Sequence, residues 1–142
     1  MSRKIIQAAG ALFYSKKTKR YLFLLRDDDT YQNTWGLVGG RVENKETIIA
    51  ALKREIFEEI GEIKIEKSIP LDLYTSSDQK FEYHTFVCIV ENEFIPQLNH
   101  EHKGYCWTTL TGIPKPIHPA LYNSMNMEEL KNKLVALEIL FV

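Results

Sequence analysis

Residues Gly39 to Ile63, with the sequence GGRVENKETIIAALKREIFEEIGEI, decide how this chain is interpreted. The stretch begins with a glycine pair, passes through a polar turn and continues into a segment with apolar residues at helical spacing. Gly61 follows that segment, at a position where a helix would end because glycine adopts positive φ without strain. The pattern predicts a helix from Thr47 to Ile60.

The predicted helix has one apolar face and one acidic face, because residues three, four and seven apart lie on the same side. The apolar face consists of Ile48, Ile49, Leu52, Ile56 and Ile60. The acidic face consists of Glu55, Glu58 and Glu59, and Ala51 leaves space beside it one turn earlier. Like charges at this spacing destabilise an isolated helix by roughly 0.2–0.5 kcal/mol per pair.

Two interpretations of the acidic face follow. A divalent cation such as Mg²⁺ or Mn²⁺ would remove the repulsion, since both ions prefer carboxylate oxygens. Arg54 lies beside the cluster and can hold one carboxylate through a bidentate contact. The alternative is a solvated acidic helix face with Lys53 and Arg54 as partners.

The residues before the helix favour a functional site. Gly39 and Gly40 directly precede the turn, where the backbone must approach a ligand closely or take positive φ. Glu46 lies near the helix start, where a carboxylate interacts favourably with the helix dipole.

With these flanks, the stretch resembles the Nudix hydrolase family. That family's signature is Gly, five residues, Glu, seven residues, then Arg-Glu-apolar-any-Glu-Glu-any-Gly-apolar. The matching residues are Gly40, Glu46, Arg54, Glu55, Ile56, Glu58, Glu59 and Gly61. The match departs at Glu62, where an apolar residue is usual and Ile63 is available instead. Val38 stands where the family commonly has proline, and Lys45 replaces a usual loop glycine, which affects loop shape more than metal ligation.

The resemblance implies an α/β/α sandwich, a mixed sheet flanked by helices, as one domain over residues 1–142. It also implies hydrolysis of a nucleoside diphosphate linked to another group, with Mg²⁺ or Mn²⁺ as cofactor. The metal ligands it implies are Glu55, Glu58, Glu59 and the Gly39 carbonyl. It assigns Arg54 and Glu46 to orienting the glutamates, and Glu55 to either metal binding or general-base catalysis.

One further carboxylate is implied outside this stretch, because many Nudix enzymes place an essential one in the loop before a late strand. Glu101 occupies that place, just before a predicted strand from Tyr105 to Leu110 whose Trp107 resembles the family's usual aromatic residue. The polar loop from 91 to 104 would carry Glu101 to the helix glutamates, to bind a metal or accept a proton. Glu91 and Glu93 are the rival candidates, and an exposed glutamate without function is the alternative.

Composition limits the class of protein. The chain has 142 residues, 44% of them hydrophobic and 26% charged, which is ordinary for one soluble domain. A net charge of −1 provides no basic field for duplex nucleic acid. No segment reaches the roughly 20 apolar residues that span a membrane. The two cysteines, Cys88 and Cys106, lack zinc-type spacing, so a reduced, cytoplasmic setting is expected.

The rest of the chain predicts mainly strands. They cover Ile5–Tyr14, Arg20–Leu25, Glu62–Lys67, Leu71–Tyr74, Phe81–Val90 and Tyr105–Leu110. The first two are expected to form a hairpin. Pro70 is expected to end the Glu62–Lys67 strand before the Leu71–Tyr74 strand begins. A short helical turn is predicted at Ala120–Ser124. Asn126 is expected to cap a final helix whose apolar face is Leu130, Leu134 and Leu137.

The sequence does not select a substrate. A nucleoside triphosphate, a nucleotide sugar and a dinucleotide all remain open, as does a homodimer. The candidates for stacking on a base, each equally suited to the core, are Phe81, Tyr83, Phe86 and Tyr105. His84 could contact phosphate or serve as a hydrogen-bonded strand residue, and His100, His102 and His118 do not make a convincing zinc set. A non-catalytic nucleotide-binding regulator on the same fold is the main alternative function, and an interaction module with an acidic helix is a second.

Overall fold

The computed structural model describes residues 4–141. Its strands are β1 (Ile6–Ser15), β2 (Arg20–Arg26), β3 (Trp35–Gly36), β4 (Val38–Arg41), β5 (Lys67–Thr75), β6 (Phe81–Val90) and β7 (His102–Thr108). Its α-helices are α1 (Ile48–Ile60), α2 (Pro119–Met125) and α3 (Glu128–Leu140), with a 3₁₀ turn at Leu110–Gly112. None of these helices is long and apolar enough to cross a membrane.

The seven strands form one mixed sheet. Five of them lie in the order β3-β2-β1-β6-β5, while β4 also pairs with β1 and β7 also pairs with β2. The parallel pair is β1 with β6, in register from Ile6 opposite Phe81 to Ser15 opposite Val90. The other strand pairs are antiparallel, including the predicted β1–β2 hairpin, in which Tyr14 lies opposite Tyr21.

Period-2 alternation along the central strands builds a core on each face of the sheet. One core joins Ala9, Ala11 and Phe13 of β1 to Leu52, Ile56 and Ile60 of α1. The other joins Leu12 and Tyr14 of β1 to Leu130, Leu134 and Leu137 of α3. The predicted sandwich of helices on both sides of a mixed sheet is therefore confirmed.

The apolar face of α1 is narrower than predicted. Ile48, Leu52, Ile56 and Ile60 are four residues apart and follow one line along the helix toward the core. Ile49 lies about 100° around the helix from Ile48 and is 42% exposed, so its assignment to the buried face was wrong.

The predicted strand from Glu62 to Lys67 was wrong, since the ladder begins only at Lys67. Ile63 and Ile65 still alternate inward and pack against the α1-side core, while Glu62 and Lys64 are exposed. The alternation was real, but these residues bury their side chains without pairing to a neighbouring strand.

Pro70 does not interrupt β5 as predicted. The strand lies at the edge of the sheet and, among the strands of residues 4–141, pairs only with β6, and its register shifts between Pro70 and Asp72. An edge strand with a bulge tolerates proline because the missing N–H leaves no ladder bond unfilled.

Asn126 does not cap the final helix. Its amide Nδ2 donates to the Tyr122 carbonyl oxygen at 2.9 Å, and so closes α2. Met127 is the N-cap residue of α3 and makes no side-chain capping bond. The predicted apolar face of α3 is confirmed, since Leu130, Leu134 and Leu137 are all buried.

Candidate active site

Helix α1 is fixed at both ends by local interactions that the sequence specifies. The Thr47 hydroxyl accepts a hydrogen bond from the Ala50 N–H at 3.1 Å and begins the helix. Gly61 ends it with φ of 91°, donating its N–H to the Phe57 carbonyl oxygen at 3.1 Å. Between these ends, α1 packs on β1 and β4, so its glutamates face the glycine pair of β4.

The glycine pair is required by close approach. Neither glycine has positive φ; both belong to β4, where Gly39 lies opposite Gly10 of β1 and Gly40 lies opposite Ala9. A Cβ atom on Gly39 would overlap the Ala9 carbonyl oxygen, and one on Gly40 would lie 2.5 Å from the Glu55 carboxylate. The prediction of positive φ is therefore wrong. The close approach seen here is to Ala9 and Glu55, and the predicted close approach to a ligand stays a prediction.

Arg54 connects the loop before α1 to the carboxylates on the helix. Its Nε and Nη2 donate to the two oxygens of Glu46 at 2.8 and 2.9 Å, a bidentate pair. Its Nη1 donates to Glu55 at 2.8 Å and to Glu58 at 3.4 Å, and Nη2 also donates to the Arg41 carbonyl at 2.9 Å. A guanidinium has five N–H groups, so all of them are used here.

Glu46 is held on both sides in this network. Besides the contact with Arg54, its Oε1 accepts the Glu43 N–H at 2.9 Å. These two interactions, with Arg54 the larger, lower the pKa of Glu46 to about 2. The residue before it, Lys45, has φ of 66°, in the left-handed region. The turn therefore uses a lysine in a conformation that glycine adopts more easily.

Glu59 is the buried member of the acidic face, with 1% of its surface exposed. Its Oε2 accepts the Gly39 N–H at 3.1 Å. Burial, followed by the neighbouring carboxylates of Glu55 and Glu101, raises the pKa of Glu59 to about 10 despite that hydrogen bond. Within residues 4–141, no lysine or arginine nitrogen lies within 4.0 Å of it. A buried carboxylate without such a partner is the kind of group that a cation stabilises.

The loop between β6 and β7 docks on the C-terminal end of α1. The N–H groups of Gln97 and Asn99 donate to the carbonyl oxygens of Ile60 and Glu59, at 2.9 and 3.2 Å. The Asn99 side-chain oxygen then accepts the Glu101 N–H at 3.0 Å. These bonds place Glu101 over the helix, next to Glu59.

Three side chains converge at this point, namely Glu59, Glu101 and His102. Each offers a ligand atom, and these atoms all lie within 4.8 Å of one another. His102 Nδ1 approaches Glu59 Oε1 to 3.5 Å. Burial, with a smaller effect of Arg26, lowers the pKa of His102 to about 4, so the two groups do not form an ion pair at neutral pH.

The other predicted glutamates lie outside this group of three. Glu55 lies beside Glu59 but is drawn to Arg54, with 13% of its side chain exposed. The Glu58 side chain is 52% exposed and contacts Arg54. Among the rivals to Glu101, Glu93 accepts from Arg20 at 2.5 and 2.6 Å, and Glu91 lies 3.2 Å from Lys16, so both are engaged by basic residues.

The aromatic residues predicted as candidates for stacking on a base differ in how far they are exposed. Phe86 is 7% exposed and belongs to the α1-side core. Tyr83 lies with its hydroxyl against the backbone of Gly10, and burial, then the charge of Glu59, raises its pKa to about 12. Tyr105 is 40% exposed on β7 and remains open to a ligand.

His102 is the site residue that sequence reasoning missed. It was grouped with His100 and His118, but His118 begins α2, where its Nδ1 accepts the Ala120 N–H at 3.1 Å. His100 is exposed in the loop. Alternation along a strand would place His102 on the side opposite Glu101, so the local pattern gave no signal, and the two side chains meet where the β2–β7 register shifts at His102.

Comparisons with known proteins agree with this geometry. Residues 4–126 match the family model of the NUDIX domain. The chain is 31% identical to dihydroneopterin triphosphate diphosphatase from Haemophilus influenzae, over 77% of each chain. It is 34% identical to nucleoside triphosphatase NudI from Escherichia coli, over 61% of this chain and 71% of that one. A MutT Nudix hydrolase from Burkholderia pseudomallei shares the fold, with a TM-score of 0.68 at 23% identity, covering 88% of this chain and 98% of that one.

The chain therefore belongs to the Nudix hydrolase family and is a hydrolase acting on acid anhydrides. Its general reaction is hydrolysis of a pyrophosphate bond. Members of this family act on small nucleotide substrates and generally use divalent metals.

Proposed function

We propose that this protein is an Mg²⁺- or Mn²⁺-dependent pyrophosphohydrolase that acts on a triphosphate ester of a nucleoside or a nucleoside-like compound. The observation that carries the metal dependence is the buried carboxylate of Glu59, which faces Glu101 and lacks a lysine or arginine partner in the described part of the chain. These oxygen donors fit a divalent cation.

The proposed metal site comprises Glu55, Glu58, Glu59, Glu101 and the Gly39 carbonyl oxygen. A divalent ion held there would neutralise pyrophosphate charge and lower the pKa of a bound water. Glu59 is already oriented by the Gly39 N–H, and Arg54 together with Glu46 holds Glu55 against the glycine pair. Glu58, the most exposed of the helix glutamates, would turn from Arg54 to complete the site.

Glu101 has the proposed role of metal ligand or proton acceptor from the attacking water. Its support is positional, because the loop bonds to α1 place it beside Glu59 while Glu91 and Glu93 are paired with basic residues elsewhere. Comparing the variants Glu101→Gln, Glu91→Gln and Glu93→Gln at saturating metal tests this. Only the first should lose turnover, and a crippled Glu91 or Glu93 variant beside an active Glu101 variant would contradict the assignment.

The substrate class rests on the two relatives. Both are named for action on a triphosphate, one a dihydroneopterin triphosphate and the other a nucleoside triphosphate. The exposed Tyr105 ring on β7 is available to stack on a flat heterocycle, which a nucleobase and a pterin share. Nucleotide sugars and dinucleotides are therefore the less favoured substrates.

The test is a substrate panel with Mg²⁺ or Mn²⁺, following release of pyrophosphate and phosphate. It should include nucleoside triphosphates, dihydroneopterin triphosphate, a nucleotide sugar and a dinucleoside polyphosphate, each with and without excess chelator. We expect turnover of at least one triphosphate, abolished by the chelator. Equal activity in chelator would overturn the metal dependence, and tight nucleotide binding without any turnover would identify a regulator on the same fold.

A further inference from the structure

His102 is a buried polar residue whose ring nitrogen Nδ1 has no hydrogen-bond partner among residues 4–141. It is the first residue of β7, opposite Arg26 of β2 at a point where the strand register shifts. Its side chain is 6% exposed. Its Nδ1 atom is buried and makes no hydrogen bond with any residue from 4 to 141. Proteins rarely leave such an atom unpaired, so its direction is informative.

That unpaired nitrogen points to the carboxylates of the candidate active site. The closest polar atom to it in an acidic side chain is Glu59 Oε1 at 3.5 Å, longer than a hydrogen bond. The Glu101 carboxylate completes a group whose ligand atoms are mutually within 4.8 Å. Two ligands bound to one ion at about 2.1 Å lie about 3 Å apart when adjacent and about 4.2 Å apart when opposite. The group therefore needs only small side-chain movements to share one ion.

Nearby charged groups do not compete for this nitrogen. The charge of the Asp28 carboxylate acts on His102. This carboxylate accepts two hydrogen bonds from the Arg26 guanidinium, so Asp28 and Arg26 are paired with each other. On the loop side, Asn99 uses its side-chain oxygen for the Glu101 N–H.

We infer that His102 is a nitrogen ligand of the metal ion bound by Glu59 and Glu101, which makes this part of the site a mixed nitrogen and oxygen centre. The inference rests on the proposed metal-dependent function. Mg²⁺ favours oxygen donors, whereas Mn²⁺ and later divalent ions of the first transition series accept imidazole more readily. The site therefore binds Mn²⁺ more tightly than an all-carboxylate site would, relative to Mg²⁺.

The direct experiment is pulsed electron paramagnetic resonance of the wild-type protein with one equivalent of Mn²⁺. We expect the hyperfine coupling of a directly coordinated ¹⁴N nucleus. The same spectrum should persist in His100→Gln, an exposed histidine two residues away in the same loop. It should disappear in His102→Gln. Bound Mn²⁺ without a coordinated nitrogen in the wild type would overturn the inference, whether or not the variants fold.

Binding measurements provide the second readout. Titration of Mn²⁺ and Mg²⁺ into the wild type and both variants should show at least a tenfold weaker Mn²⁺ affinity for His102→Gln, with a smaller change for Mg²⁺. Equal losses for the two ions would show instead that His102 only positions Glu59. Turnover of the triphosphate panel is read separately, so a nitrogen signal without turnover refutes the proposed substrate class and leaves the ligand assignment intact.

Discussion

Lys45 illustrates how one residue can carry a conformational cost beside a functional network. Its φ of 66° lies in the left-handed region, while the next residue, Glu46, is fixed by Arg54 and by the Glu43 N–H. The turn that places Glu46 therefore holds Lys45 in a conformation that costs a non-glycine residue about 1 kcal/mol. The resemblance to the Nudix signature places a glycine at this position.

Replacing Lys45 with glycine should stabilise the protein. We expect Lys45→Gly to raise the free energy of unfolding by up to about 1 kcal/mol, because relief of the φ strain exceeds the extra entropy of glycine in the unfolded chain. The measurement is chemical denaturation. Lys53→Gly, an exposed position inside α1, is the matched control and should lose about 1 kcal/mol. Equal losses in both variants would show that Lys45 is unstrained.

Glu59 is expected to lower the stability of the metal-free protein while it supports catalysis. Glu59→Gln keeps an acceptor for the Gly39 N–H but removes a carboxylate buried without a lysine or arginine partner among the described residues. In chelator, its melting temperature should match or exceed that of the wild type, because the raised pKa of Glu59 makes the wild-type protein take up a proton on folding at neutral pH, a cost that glutamine does not carry. With metal and substrate, turnover should fall at least about 10²-fold, since several kcal/mol of charge stabilisation depend on the ligand.

Glu58→Gln provides the control for that prediction. Its side chain is 52% exposed, so its effect on melting temperature should be smaller than that of Glu59→Gln. A Glu59→Gln protein with normal turnover and a lower melting temperature would instead assign the acidic face a structural role.

At the scale of elements, the site depends on how the β6–β7 loop docks on α1. Carbonyl oxygens at the end of a helix lack partners within the helix. Here Gln97 and Asn99 supply them through backbone N–H groups, at Ile60 and Glu59. Phe94 and Trp107 reinforce the docking, with rings 5.2 Å apart at 87° and the Trp107 Nε1–H donating to the Phe94 carbonyl at 3.0 Å.

Asn99→Ala should uncouple Glu101 from this docking. The variant loses the acceptor for the Glu101 N–H but keeps the backbone bond from residue 99 to Glu59. We therefore expect kcat to fall about tenfold with little change in melting temperature, because a small displacement of a reacting group is costly. Steady-state kinetics should be compared with Asn92→Ala, an exposed position in the same loop. A normal kcat for Asn99→Ala would show that Glu101 is positioned by other contacts.

The hydrogen bonds of Glu46, which connect the loop to α1, should also make the free energy of unfolding depend on pH in the acid range. Arg54 and the Glu43 N–H hold the pKa of Glu46 near 2, below its value in an unfolded chain, so the folded state binds the proton more weakly. The stabilisation is thus present above about pH 4.3 and is lost as pH falls toward 2. Glu46→Gln should be less stable than the wild type at pH 6, and the difference should shrink toward pH 2.

Denaturation curves from pH 2 to pH 6 would check this behaviour. Glu62→Gln, an exposed glutamate just after α1, serves as the control and should follow the wild type. A constant difference between Glu46→Gln and the wild type across that range would mean that the Glu46 charge does not contribute.

At the scale of the whole molecule, the sequence predicted features that repeat within a few residues. The limits of α1, its acidic face and the extent of β6 all follow from local spacing, and the structure agrees with them within one residue. Glu62, which stands where the Nudix signature has an apolar residue, is exposed, and Ile63 packs on the core in its place, as the sequence suggested.

Features that depend on distant partners were harder to predict. Whether residues 62–67 form a ladder depends on where β6 ends, because Lys67 lies opposite Ile89 near the end of β6, and alternation alone does not encode that limit. Likewise, His102 is buried because β7 pairs with β2 across an irregular register, and that pairing brings it toward Glu59. Asn126 is a residue type that commonly caps helices, but its side chain donates instead to the Tyr122 carbonyl oxygen one turn earlier in the chain.

The parallel pairing of β1 with β6 has a consequence for the protein during its synthesis. The two strands are separated by 75 residues, as in the pairing of Ile6 with Phe81, and both are mostly buried at the centre of the sheet. At translation rates of about 5–20 residues per second, that gap takes roughly 4–15 seconds to produce. For that interval one edge of β1 in the nascent chain lacks its partner strand, so this strand is open to pairing with other chains until β6 has been made.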